Sequence, residues 1–75
     1  MSTYSNMVLT ITTEYIGPSS KAFLERQTRA HMGGLSFDSI EKAQLPELAK
    51  WVNVSAGLLI GKDKAQALAD RISRL

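Results

Sequence analysis

The chain contains no cysteine, which removes disulfide frameworks, thiolate metal sites and thiol catalysis together. A single histidine, His31, leaves too few donors for a transition-metal centre built from imidazole and thiolate. No stretch approaches the roughly 20 apolar residues that span a bilayer. Met1 to Asn6 lacks the basic start and apolar core of a secretory leader. Gly33-Gly34 is no phosphate-binding loop; on its own it signals a turn. Repeats, low-complexity tracts and long linkers are absent too. These absences lead to the expectation of a cytoplasmic protein that is not an enzyme, uses no cofactor and does not enter a membrane.

What remains is ordinary globular material. Hydrophobic residues make up 44% and charged residues 21% of the 75 positions, a balance that argues against disorder. The length suits one small domain, residues 1–75. A chain this short buries only about 60% of the surface its unfolded form exposes, so association with a partner or a second copy adds stability. The formal charge is +2 with an isoelectric point near 9.2. That excess is milder than the basic stripe of a dedicated nucleic-acid binder.

The most apolar stretch, Leu45 to Ile60, organises the rest. Pro46 suits the first turn of a helix, where its missing N–H costs nothing. Leu45, Leu48, Ala49, Val52, Ala56 and Leu59 then fall on one helical face. Trp51 and Leu58 form a second flank, and Lys50, Asn53 and Gly57 share a narrow polar wedge. Gly61 closes the helix. The last segment is amphipathic: Ala65, Leu68, Ala69, Ile72 and Leu75 make its apolar stripe. Asp63 near its start and Arg71 and Arg74 near its end complement the helix dipole.

Before the central stretch the signals are more divided. Val8 to Thr13 is rich in β-branched residues and reads locally as a strand. Tyr4, Val8, Ile11 and Tyr15 nevertheless follow a 3.6-residue period, Ser2 or Ser5 can cap, and no second strand exists to pair with, so a helix is expected. Gly17-Pro18 breaks it, and a second helix is expected from Pro18 to about residue 32, closed by Gly33-Gly34. Asp38 followed three residues later by Glu41 has the form of a capping box, so a short helix is expected there. A kink or break near Gln44–Pro46 should follow, because the residue before proline disfavours helical angles. The fold expected is all-α: a compact bundle of four helices, or five with that short one, around residues 45–60.

Two segments resemble known families. Tyr15-Ile-Gly-Pro-Ser-Ser-Lys-Ala-Phe-Leu24 is similar to the Ile-Gly-Pro-x-Ala-Lys segment of a small helical domain found at the ends of bacterial signalling proteins, including some serine/threonine kinases. Ile16, Gly17, Pro18 and Lys21 match that motif, and Ser20 stands where the family usually has alanine. The resemblance implies a helical accessory domain; the bland alternative is a good helix–helix joint. Leu35-Ser-Phe-Asp38-Ser39-Ile40 is similar to the Gly-x-Asp-Ser-Leu site of acyl and peptidyl carrier proteins, which implies a phosphopantetheine arm on Ser39. The same residues also read as a plain N-cap.

Other candidate groups have simpler explanations. His31 lies at a helix end, where its cation favours the dipole, and nothing in the spacing joins it to Ser19, Ser20 or Ser39 as a nucleophile–base pair. Lys21, Arg26 and Arg29 form a patch with Lys62, Lys64, Arg71 and Arg74 if the second and last helices are neighbours, which would give a weak helix-turn-helix nucleic-acid binder near Gly33-Gly34. The favoured expectation is a protein-interaction or oligomerisation module. Its surface would be the surplus apolar flank of the central helix, Trp51, Val54 and Leu58, with a homodimer slightly preferred. That flank is either closed by the N-terminal helix through Tyr4, Val8, Ile11 and Tyr15 or left for a partner.

Overall fold

The computed structural model covers all 75 residues and contains four α-helices and no strand: α1 (Thr3–Ile16), α2 (Ser20–His31), α3 (Leu45–Ile60) and α4 (Lys62–Ser73). The all-α bundle around residues 45–60 is therefore the fold. The period of Tyr4, Val8, Ile11 and Tyr15 prevails over local β-propensity, because Val8 and Ile11 both reach the core. Two of the threonines fit by bonding back along the helix. Thr10 Oγ1 donates to the Asn6 carbonyl (3.0 Å) and Thr13 Oγ1 to the Leu9 carbonyl (2.7 Å). Ser2 is the cap, its Oγ accepting from the Ser5 N–H at 3.1 Å.

α2 starts later than the proline suggests. The turn after Gly17 is closed by Ser20, whose N–H and Oγ both donate to the Gly17 carbonyl at 3.0 and 2.7 Å. Pro18 and Ser19 thus lie in the turn, and the helix begins at Ser20. The serine that departs from the Ile-Gly-Pro-x-Ala-Lys pattern is the residue making this closure.

The helix expected from Asp38 does not form. Residues 33–44 instead hold two single 3₁₀ turns, Phe37–Ser39 and Lys42–Gln44, with Ile40 extended between them. Residues three apart eclipse in a 3₁₀ turn, so Phe37 and Ile40 both point into the core. The carbonyls an α-helix would use are taken by the N-terminus: the Ser2 N–H donates to the Asp38 carbonyl (2.9 Å) and Ser2 Oγ to the Ile40 carbonyl (2.7 Å). Asp38 caps nothing; its buried Oδ1 has no hydrogen-bond partner. The reach-back contact occurs three residues on, where the Glu41 N–H donates to Gln44 Oε1 at 2.9 Å.

No kink separates this segment from α3. Leu45 adopts helical angles (φ −61°, ψ −40°) although it precedes Pro46, and the Lys42–Gln44 turn leads straight into the helix. Leu45 is almost completely buried, and that burial offsets the modest steric preference against helix before proline. α3 supplies five buried residues, Leu45, Leu48, Ala49, Val52 and Ala56. It packs most intimately on α4, to which Gly61 alone connects it (φ 90°, ψ 158°). The buried alanines of the pair, Ala49, Ala56, Ala65 and Ala69, keep the seam narrow, and Asn53 Nδ2 donates to Gln66 Oε1 across it at 2.9 Å.

α1 covers the other side and is tied to α4 by one ion pair. Arg71 forks onto Glu14 at 3.0 and 3.2 Å and lies over the Tyr15 ring. The hydrogen bonds and charge of Arg71 hold the Glu14 carboxyl below its ordinary range, and those from Glu14 raise Arg71 further. Both groups are well exposed, so the pair aligns two helices more than it stabilises them.

Candidate interaction surface

α2 and α3 run side by side in opposite directions, and their contacts keep one register. At one end the His31 ring stacks on Trp51, with centroids 4.2 Å apart and planes within 11°. A turn further along α3, Ser55 Oγ donates to Gln27 Oε1 at 2.8 Å. At the far end Phe23 faces Leu58 and Leu59 across an open groove of about 320 Å³, whose wall on the α2 side carries Arg26 and Ala30. The groove floor is thus a satisfied polar contact, and its α3 wall is aliphatic.

The outer face of α3 is uncovered. Val54 is 62% exposed, Leu58 91% and Leu59 62%. Val54 and Leu58, spaced at i and i+4, lie next to one another on the helix surface, and Leu59 opens toward the groove. Leu59 was expected to point inward with Leu48 and Val52. It does not: the buried stripe of α3 ends at Ala56, and in the last turn Ile60 packs against the core while Leu59 borders the open groove beside Phe23. Gly57 lies in this turn with no atom within 4 Å of where a Cβ would stand. The N-terminal helix does not close this flank: Val8 and Ile11 are in the core, with Tyr4 and Tyr15 packed against it.

Trp51, Val54 and Leu58 are only partly equivalent. Val54 and Leu58 are open, whereas Trp51 is half-buried, held between α3 and the His31 ring, with Lys50 Nζ 5.0 Å from its ring centroid. Its Nε1–H is buried without an acceptor. The indole is a shoulder of the apolar surface rather than its centre. Replacing His31 with alanine should lower stability by about 1 kcal/mol through loss of the ring stack and shift the Trp51 emission to longer wavelength. Unchanged emission and melting temperature would show that the stack holds nothing in place.

The remaining candidates are dispersed. Ser39 is exposed at the end of the Phe37–Ser39 turn, and extended Ile40 follows it; the α-helix that a carrier site presents directly after its serine is missing. His31 makes no hydrogen bond to Ser19, Ser20 or Ser39, and no cluster of three or more His, Asp or Glu side chains is placed to hold a metal. α3 lies between α2 and α4, so Lys21, Arg26 and Arg29 are separated from Lys62, Lys64, Arg71 and Arg74, and Arg71 is already engaged by Glu14. The side-by-side course of α2 and α3 also differs from the steep crossing of a helix-turn-helix. No helix is long and apolar enough to cross a membrane. Leu59 and the His31–Trp51 contact were not foreseen. Leu59 continues the period of the buried stripe, so nothing local set it apart; the His31–Trp51 contact likewise needs the helix register, which no local pattern encodes.

Comparison of the chain with protein-family models, with curated proteins and with solved structures gave no match. Fold and surface together define a small four-helix domain with one uncovered apolar helix face.

Proposed function

We propose that this chain is a non-enzymatic protein-interaction or oligomerisation module, cytoplasmic and accessory to signalling, that holds another protein or a second copy of itself on the outer face of α3. The observation that carries this reading is the contiguous exposure of Val54, Leu58 and Leu59. Contiguous exposed apolar patches mark association sites, whereas apolar side chains scattered singly over a surface are ordinary. Trp51 beside them is the residue type most enriched in binding hot spots. The signalling context rests on the resemblance of Ile16-Gly17-Pro18 and Lys21 to the bacterial accessory domain. In the fold these residues form the α1–α2 joint and the first turn of α2.

The test is association itself. Sedimentation equilibrium from micromolar to millimolar concentration, alone and with a synthetic amphipathic helical peptide, should reveal a species heavier than 8.2 kDa. The Val54, Leu58 and Leu59 methyl resonances should move with it. Leu58→Asp should abolish that species while changing folding stability by no more than about 0.5 kcal/mol, as expected of an open surface site. A monomer of 8.2 kDa under every condition would defeat the proposal.

A further inference from the structure

We infer that the occupant of this face is an amphipathic helix with acidic flanks, contributed by another protein. The inference rests on the interaction-module reading and adds the chemistry of the partner. Shape is the first consideration. Val54 and Leu58, one turn apart, form an apolar track along one helix, and Leu58 and Leu59 carry it into the groove beside Phe23. A second helix laid along α3 places residues at i, i+3, i+4 and i+7 on such a track. An extended strand would find no sheet edge to join, since the fold has none.

Charge selects the partner. Arg26 and His31 are the ionisable residues that line the groove, and no acid lines it. Arg29 adjoins Arg26 on the outer side of α2, Lys50 lies over Trp51 at one end of the face, and Lys62 begins α4 at the other. None of these cations is in an ion pair, the molecule's one salt bridge being Arg71–Glu14 on a different face. Glu25 stands beside Arg26 and Arg29 on the outer side of α2, and Glu47, in the first turn of α3, and Asp63, after Gly61, are the acids at the two ends. The track is therefore apolar along its centre, and the groove wall itself carries positive charge, Arg26, with no acid.

The same charges disfavour a second copy. A two-fold pairing in either direction brings the unpaired cations beside this face, Arg26, Arg29 and Lys50, up to a surface bearing the same cations. That surface is not a complementary acidic one, and like charges at the rim of a contact are destabilising. A partner helix carrying Glu or Asp beside its apolar stripe meets Arg26, Arg29, Lys50 and Lys62 with opposite charge and keeps the same apolar contact.

The experiment uses the full 75-residue chain and three synthetic helical peptides. They share one leucine stripe and differ in having Glu, Gln or Lys at every flanking position. Binding is followed by calorimetry at low and high salt and by the Val54, Leu58 and Leu59 methyl shifts. The Glu peptide should bind about tenfold more tightly than the Gln peptide at low salt, the sum of several exposed charge pairs, and the advantage should shrink as salt rises. The double variant Arg26→Glu, Lys50→Glu should remove or invert the preference; both positions are exposed, so the fold should be unaffected. Equal binding of the Glu and Gln peptides would overturn the acidic partner and leave the interaction module standing. A dimer of the chain alone that excludes the peptides would overturn it in favour of a second copy. Absence of peptide binding and of self-association would overturn both readings.

Discussion

Phe37→Ala should remove most of this domain's stability. Phe37 belongs to no α-helix, yet it is the largest of the side chains buried almost completely, standing with Ile40 in a core built otherwise from helical residues. Truncating a buried phenylalanine costs about 3–5 kcal/mol through lost apolar burial and the cavity left behind. A domain of this size has roughly 4–11 kcal/mol in all, so the midpoint should fall by roughly 20 °C or more. The segment carrying Phe37 cannot readily collapse into the void, because Ser2 pins it through the Asp38 and Ile40 carbonyls. Urea unfolding followed by helical circular dichroism measures the change. Phe37→Leu, which keeps much of the volume, should cost far less. A loss under about 1 kcal/mol for the alanine variant would show that residues 33–44 do not belong to the cooperative core.

The two glycines of the α3–α4 region should respond to alanine with opposite signs. Gly61 has φ 90° and ψ 158°, and a Cβ there meets no atom within 4 Å. The penalty for Gly61→Ala is therefore purely backbone: this region of φ/ψ space is essentially restricted to glycine, and forcing another residue into it costs about 1–3 kcal/mol. Since Gly61 is the whole connection between α3 and α4, the strain cannot be spread along a loop. Gly57 is also free of contacts but lies within α3 at ordinary helical angles. Gly57→Ala should stabilise the isolated domain by about 0.5–1 kcal/mol, the difference in helix propensity. Thermal unfolding of the two variants side by side provides the check. Destabilisation by both would show that Gly57 packs closely within the folded domain. Stabilisation by both would show that the α3–α4 connection adopts another conformation.

The helices were legible where the deciding physics is local. The 3.6-residue recurrence of Tyr4, Val8, Ile11 and Tyr15, the proline in the first turn of α3 and the glycine at its end act between residues a few positions apart. They determined the all-α class, the span of α3 and the surplus of apolar residues on it before any packing was considered. Tertiary structure decided what the local signals left degenerate. Asp38-x-x-Glu41 is a valid helix start in isolation, but Ser2, distant in sequence, occupies the carbonyls that helix needs, and the core takes up Phe37 from a 3₁₀ turn and Ile40 from the extended residue after it. Leu59 carries the same inward period as Leu48 and Val52, yet in the last turn of α3 Ile60 packs against the core and Leu59 stays open beside the groove. The partnership of His31 with Trp51 follows from the register of two helices joined by a 13-residue connection, Met32 to Gln44. Periodicity states which faces are apolar. Which of those faces finds a cover is set by contacts between residues far apart in sequence, and here that leaves Val54, Leu58 and Leu59 open.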